Sequence, residues 1–113
     1  MVSIATFRQL ALSFPETAEQ PHFDRKSFRV KKKIFATLHQ KEKRVVLKFS
    51  LPDQSVFCSF DKKIIYPVPG GWGRQGWTIV ELTKVRKIMF KDALTMAYCA
   101  VAPKKLADQY RPS

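Results

Sequence analysis

The chain has 113 residues, enough for one domain built around one hydrophobic core. Hydrophobic residues make up 45% of it and aromatic residues 12%, a composition that excludes a disordered tail. No apolar run approaches the roughly 20 residues that a bilayer span needs, and no secretory signal pattern opens the chain. We therefore expect a single domain over residues 1–113, in the cytoplasm and without a membrane partner.

The charge is strongly positive and unevenly distributed. Lys and Arg number 21 against 9 Asp and Glu, which gives a formal net charge of +12 at pH 7. Residues 1–24 carry a net charge of −2, residues 25–48 carry +9, and residues 49–113 carry +5. Most of the excess therefore lies in one short segment, and such a basic patch indicates an anionic partner.

The first quarter of the chain predicts a helix followed by a loop. From Ser3 to Phe14 apolar residues recur at helical spacing, with Ser3 placed to cap the first turn and Pro15 to end the helix. The segment Glu16–Arg25 has no sustained period and contains Pro21, so we expect an ordered loop there.

The basic segment predicts an antiparallel meander of three strands, Ser27–Val30, Ile34–His39 and Arg44–Phe49. Its two turns, Lys31–Lys33 and Gln40–Lys43, are polar and rich in lysine. The first of them contains neither Gly nor Asn, so it is expected to be exposed and to make a poor tight hairpin.

The second half predicts a short helix over Leu51–Phe60, with Val56, Phe57 and Phe60 on its apolar side. Short strands are predicted at Ile64–Tyr66 and Trp77–Leu82. The loop Pro67–Gly76 between them holds all four glycines of the chain. This concentration of glycine indicates unusual backbone dihedral angles or a close backbone approach.

The last predicted helix is capped by Thr83 and continues to about Ala102, which places Lys84, Arg86 and Lys87 in its first turn. Cations at a helix N-terminus are unfavourable unless an anion compensates them, so these residues also favour an anionic partner. Its predicted inward residues are Val85, Met89, Ala93, Met96, Ala97 and Ala100. The element order α-β-β-β-α-β-β-α predicts an α+β fold, with helices on one face of an antiparallel sheet.

The residues that carry catalytic or metal chemistry are few. His22, Asp24 and Ser27 sketch a hydrolytic set, but their spacing has no recognised signature, so we expect no catalytic residues and no enzyme. The two His and two Cys residues are scattered without ligand spacing, and we expect neither a metal site nor a cofactor. Cys58 and Cys99 lie in apolar surroundings and are expected to be reduced thiols.

DNA binding is the leading functional hypothesis. Phosphate contacts need Lys and Arg on projecting elements, and the two basic turns are expected to form adjoining wings that straddle a duplex backbone. Trp72 and Trp77 flank Arg74, which offers stacking or groove insertion. The expected DNA-binding residues are Arg25, Lys26, Arg29, Lys31, Lys32, Lys33, Lys41, Lys43, Arg44, Lys48 and Arg74.

Several motifs resemble the MmcQ/YjbR family in order and spacing over nearly the whole chain. They are Pro21-His22-Phe23, Ser27-Phe28-Arg29-Val30, Lys33–Leu38, Val46-Leu47-Lys48, Pro67-x-Pro-Gly-x-Trp-Gly, Gly76-Trp77-Thr78, Ala97-Tyr98 and Val101–Lys105. The resemblance implies a small bacterial protein with a CyaY-like fold, also likened to the secretion-chaperone fold, and a "double wing" that binds DNA. The lysine turn departs from the short Gly-containing turn usual in the family.

The residues shared with the family support an alternative hypothesis, because they are mostly uncharged. They would line a pocket between the His22 loop and the Trp72–Trp77 loop, which takes a small anionic ligand or a partner protein, with Lys48 and Arg74 as anion clamps. The hypothesis requires both loops to line one concave site. The pocket residues are His22, Phe23, Ser27, Trp72, Gly73 and Trp77. Under either hypothesis we expect a monomer.

Overall fold

The computed structural model describes residues 1–110, which form five helices and a six-stranded sheet. In chain order the elements are α1 (Ile4–Ser13), β1 (Thr17–His22), β2 (Arg25–Val30), β3 (Lys33–His39), β4 (Arg44–Lys48), α2 (Leu51–Cys58), β5 (Ile65–Pro67), α3 (Gly71–Arg74), β6 (Trp77–Glu81), α4 (Lys87–Val101) and α5 (Lys104–Ala107). The strand order is β1-β2-β3-β4-β6-β5, and every neighbouring pair is antiparallel.

Aromatic side chains hold the two long helices, α1 and α4, against one face of the sheet. Phe7 of α1 meets Phe28 of β2 with ring centroids 4.8 Å apart, and it meets Phe90 of α4 at 5.9 Å. Farther along α4, Tyr98 lies edge-on to Phe35 of β3 at 5.6 Å. All five rings are fully buried. The predicted α+β fold is therefore confirmed, with both long helices on one face of the sheet, and we call the opposite side of the sheet its open face.

One predicted loop is a strand. Thr17–His22, inside the segment expected to be a loop, forms β1 and pairs with β2 over its whole length. Because β1 is at the edge of the sheet, half of its backbone N–H groups need no partner, and Pro21 is tolerated there. The sequence pattern does not reveal β1 because an edge strand buries only part of one face and can therefore be composed of polar residues.

The last long helix begins later than predicted. It starts at Lys87 with Arg86 as its N-cap, and the chain before it forms a turn in which the amides of Lys84 and Val85 donate to the carbonyl of Glu81. The prediction that three cations occupy the first helical turn is therefore wrong, because Lys84 precedes the helix. Ala100, predicted to face inward, is exposed.

The helix after the meander is also shorter than predicted. Ser50 caps α2 by accepting a hydrogen bond from the Asp53 amide, and the helix ends at Cys58. Only Phe57 of its predicted apolar side packs, with its ring stacked on Phe49 at 5.0 Å, whereas Val56 and Phe60 are exposed. Among residues 1–110, no helix is long and apolar enough to cross a bilayer.

The glycine-rich loop makes the close backbone approaches that its composition predicts. A Cβ atom at Gly73 would lie 2.0 Å from the carbonyl oxygen of Val68, and one at Gly76 would lie 2.0 Å from that of Phe49. Gly76 also has φ of +103°, a region that L side chains rarely adopt. These two positions bring α3 and Trp72 back over the start of β6.

We predict that Gly76→Ala lowers the free energy of unfolding by about 2–3 kcal/mol, because the new methyl group meets a backbone carbonyl and the backbone is strained. Gly71→Ala is the matched control, since no atom lies within 4 Å of a Cβ there and its φ is not in the positive region. Urea denaturation measures both. Equal stability of the two variants would contradict the prediction.

Candidate functional site

The pairing register determines which side chains share the open face, because directly paired residues point to the same side of a sheet. One row of paired residues crosses all six strands, and we call it the central row: Gln20, Ser27, Thr37, Val46, Ile79 and Tyr66. The residues two positions away in each strand form a flanking row on each side. One flanking row contains His22, Arg25, His39, Arg44 and Glu81, and the other contains Arg29, Ile34, Lys48 and Trp77.

A β-bulge makes the second flanking row continuous. Phe28 pairs with Ala36 and Arg29 pairs with Ile34, so Phe35 is an extra residue in β3. Phe35 packs against Phe14 and Tyr98 and therefore points, like Ala36, toward the helices. The extra residue leaves Ile34 on the open face beside Thr37, where strict alternation would have buried it.

The open face holds a groove of about 760 Å³. Both loops singled out in the sequence line it, as the pocket hypothesis requires. The floor is apolar and comes from Ile34, Val46 and Ile79 on three different strands. The full lining is His22, Phe23, Asp24, Arg25, Ile34, Thr37, His39, Val46, Val68, Trp72, Trp77 and Ile79.

Two large aromatic side chains are exposed to solvent at the ends of this groove. Phe23, in the β1–β2 turn, is 93% exposed, and Trp72, on α3, is 63% exposed. The His22 ring lies edge-on to Phe23 at 4.9 Å. Because the two rings come from opposite edges of the sheet, they bracket the groove from both sides.

An ion pair lies at one corner of the open face. Arg44 Nε lies 2.8 Å from Glu81 Oε2, and the Tyr66 hydroxyl donates to the same carboxylate oxygen. The hydrogen bond to Glu81 raises the pKa of Arg44, and burial together with that carboxylate raises the pKa of Tyr66. The carboxylate is nearly buried, so the trio fixes the orientation of the Arg44 side chain.

Lys48 is held at the other side of the floor. Its ammonium group donates to the carbonyl of Gln75 and lies 5.7 Å from the centroid of the Trp77 ring. The hydrogen bond to Gln75 links the C-terminal end of α3 to β4. Lys48 therefore positions the tryptophan segment in addition to placing a cation beside the groove.

Two residues that were predicted to line the pocket, Ser27 and Gly73, are buried and support the fold instead. Ser27 is fully buried, donates to the carbonyl of Gln20 at 2.9 Å and accepts from Arg29 Nε at 3.0 Å. Gly73 is buried against the backbone of Val68. Neither lines the groove. The Ser27 hydroxyl therefore donates to the backbone of β1 rather than to His22.

The expectation that the two basic turns adjoin is wrong. Lys31–Lys33 connects β2 to β3, and Gln40–Lys43 connects β3 to β4, so the turns lie at opposite ends of the seven-residue strand β3. At about 3.3 Å per residue they are roughly 20 Å apart. One basic turn therefore lies at each end of the open face. Of the other predicted cations, Lys26 alternates toward the helix-covered side, and Arg74 is exposed outside the groove lining.

All three hairpin turns hold exposed side chains in a strained backbone conformation. Phe23 has φ of 59°, Lys31 48°, Lys32 72° and Lys43 55°. Lys31 and Lys32 form a tight two-residue turn with the sign pattern of type I′, where Asn-Gly is the usual choice. The turn is exposed, as predicted, and it forms although its residues are poorly suited to it. Left-handed backbone costs roughly 1–2 kcal/mol per non-glycine residue. Strain of this kind is typical of functional sites.

Sequence reasoning missed the apolar floor and the Arg44–Glu81–Tyr66 trio. The signal for the floor is present in β4, where Val46 alternates with Arg44 and Lys48 on the solvent side of a predicted strand. An apolar residue between two cations on one face indicates a shielded position. The trio joins residues 37 positions apart and has no local signal.

Comparison with known proteins identifies the family and the fold. A family model described as YjbR matches residues 12–100. The crystal structure of Deinococcus radiodurans protein DR2400, whose family-model domain is DUF419, is similar with a TM-score of 0.80 at 19% sequence identity. The match covers 96% of this chain and 88% of that one, and it shows a shared fold. No curated protein matches the sequence. The predicted family is confirmed.

The lysine turn generates a stability prediction. Replacing Lys31→Asn and Lys32→Gly together should raise the free energy of unfolding by about 1 kcal/mol, because both new residues accept positive φ. The exposed ion pair that Lys31 forms with Glu16 at 3.3 Å is removed as well, which offsets little of the increase. Urea denaturation measures the change. Lys33→Asn is the control, since it removes a neighbouring charge without relieving strain, and an equal increase there would refute the explanation.

His39 generates a pH prediction. Burial, followed by the nearby Arg25 cation, lowers the pKa of His39, while Glu42 and Asp24 oppose the shift and Arg44 adds to it. The unfolded chain therefore binds the proton more readily, so stability falls as pH drops below the ordinary value of 6.5 and levels off below the folded pKa. His39→Gln should lose less stability than the parent between pH 7.5 and 5 in urea titrations. If the stability of this variant depended on pH as steeply as that of the parent, His39 would be excluded as the source of the pH dependence.

Proposed function

We propose that this chain, which belongs to the YjbR family, is a non-enzymatic DNA-binding protein that uses the open face of its sheet and the basic turns at both ends. One observation carries the proposal: strand cations and exposed aromatic rings occupy the same concave face. The strand cations are Arg25, Arg29, Arg44 and Lys48. Contacts between such cations and phosphate groups position a nucleic acid without reading its sequence.

The turn lysines are available for phosphate. Lys32, Lys41 and Lys43 are exposed, and within residues 1–110 they take part in no ion pair. The ion pair of Arg25 with Asp24 spans 3.7 Å between two exposed side chains, so it is weak and phosphate can replace it. The backbone strain at Lys32 is also consistent with selection for the lysine side chain rather than for an easy turn.

A second candidate function is favoured by the groove itself. The His22 loop and the Trp72–Trp77 loop line one cavity whose volume of about 760 Å³ falls within the range of small-molecule sites. In that case a small anionic ligand would bind beside Lys48. Ligand length separates the two functions, because DNA that reaches both basic turns must bind more tightly than a mononucleotide, whereas a small-ligand site does not distinguish them.

Salt dependence tests DNA binding. If about five phosphates are neutralised, the logarithm of the association constant for a 20-base-pair duplex should fall with log salt at a slope of roughly −4 to −5. Reversing the charge at Lys32, Lys41 and Lys43 with Glu should weaken binding and make the slope shallower by about 1 for each phosphate that the variant no longer neutralises. Fluorescence anisotropy of a labelled oligonucleotide at several salt concentrations measures both quantities.

The matched control reverses three charges on the helix-covered side: Lys91→Glu, Lys104→Glu and Lys105→Glu. These residues are exposed on α4 and α5, so the net charge changes equally while the open face stays intact. The control should keep the slope of the parent and most of its affinity. An equal decrease of affinity in both triple variants would mean that bulk charge, rather than this face, determines binding. Absence of binding at 50 mM salt, both to this duplex and to a single-stranded oligonucleotide, would refute the proposed function.

A further inference from the structure

The centre of the open face carries no charge. Thr37, Val46 and Ile79 follow one another across three adjacent strands, with Ile34 beside them in the groove floor. A DNA duplex presents its phosphates outward and keeps its bases stacked inside, so an apolar floor offers it no favourable contact. An unpaired nucleotide offers a flat, largely apolar base attached to the same anionic backbone.

Cations flank this floor on both sides. Arg25 and Arg44 lie in one flanking row, and Arg29 and Lys48 lie in the other. Arg44 is fixed by Glu81, and Arg29 is fixed through its Nε by Ser27. A rim of oriented cations around an apolar floor matches a single strand, whose backbone follows the rim while its bases enter the groove.

The rings at the two ends are placed for stacking. Phe23 exposes nearly its whole side chain at a position where the backbone is strained, so neither packing nor turn formation explains a phenylalanine there. Trp72 is exposed at the opposite edge of the sheet. Strands β2 and β6 are separated by three strand spacings, or roughly 14 Å. The two rings can therefore stack on different nucleotides of one strand.

From these observations we infer that the groove binds unpaired nucleotides, with Phe23 and Trp72 as stacking platforms and the flanking cations on the backbone. The inference rests on the proposed function and gives its ligand class: single-stranded nucleic acid, or an unpaired segment within a duplex. The turn lysines extend phosphate binding beyond the groove at both ends.

The experiment compares a labelled 20-nucleotide oligothymidylate with a 20-base-pair duplex at the same salt concentration. The single strand should bind more tightly than the duplex. It should also quench tryptophan fluorescence, because both tryptophans of the chain line the groove. Phe23→Ala and Trp72→Ala should each weaken single-strand binding between about 5- and 150-fold by anisotropy, the range expected when one base is no longer stacked.

Phe60→Ala is the matched control, since Phe60 is also exposed, at 60%, but does not line the groove. It should leave single-strand affinity unchanged. Duplex binding at least as tight as single-strand binding, with no effect of Phe23→Ala or Trp72→Ala, would overturn the inference and leave DNA binding standing. Absence of binding to both probes would instead remove the proposed function.

Discussion

The aromatic contacts between the long helices and the sheet determine which side chains remain on the open face. Phe28 is buried against Phe7, so its strand neighbours Ser27 and Arg29 must point the other way. A register shift of one residue would bring Arg29 into the core and expose Phe28. The same packing that stabilises the fold therefore places the cations beside the groove, and a core mutation that shifts β2 would also dismantle the site.

The composition of each strand explains how much of this could be predicted. The β-branched and aromatic residues of β3 and β4 indicate strands directly, and an antiparallel meander already implies that successive turns lie at opposite ends. The separation of the two basic turns was therefore predictable. The bulge at Phe35 was not, because its extra residue becomes evident only when the contacts of Phe14 and Tyr98 show which way the ring points. The edge strand β1 lacks an apolar face and depends on β2 for its conformation.

Long-range contacts set another limit on prediction. The Glu81 carboxylate unites Arg44 and Tyr66 only after β4, β5 and β6 have paired in this order. Likewise, Lys48 reaches the carbonyl of Gln75 because Gly76 allows the chain to pass close to Phe49. Residue types indicated a basic protein with an unusual glycine loop. The fold supplied the arrangement in which that loop and the basic strands meet.

The strained turns and the apolar floor suggest different roles for the two sets of cations. Arg29, Arg44 and Lys48 are held by hydrogen bonds within the sheet surface, so their positions are fixed before any ligand arrives. Fixed groups lose little conformational freedom on binding and favour a defined ligand geometry. The turn lysines are long, exposed and adaptable, and they add attraction that depends on salt rather than on shape. The DNA and small-ligand hypotheses therefore share one surface and differ in how far the ligand extends beyond the groove toward those lysines.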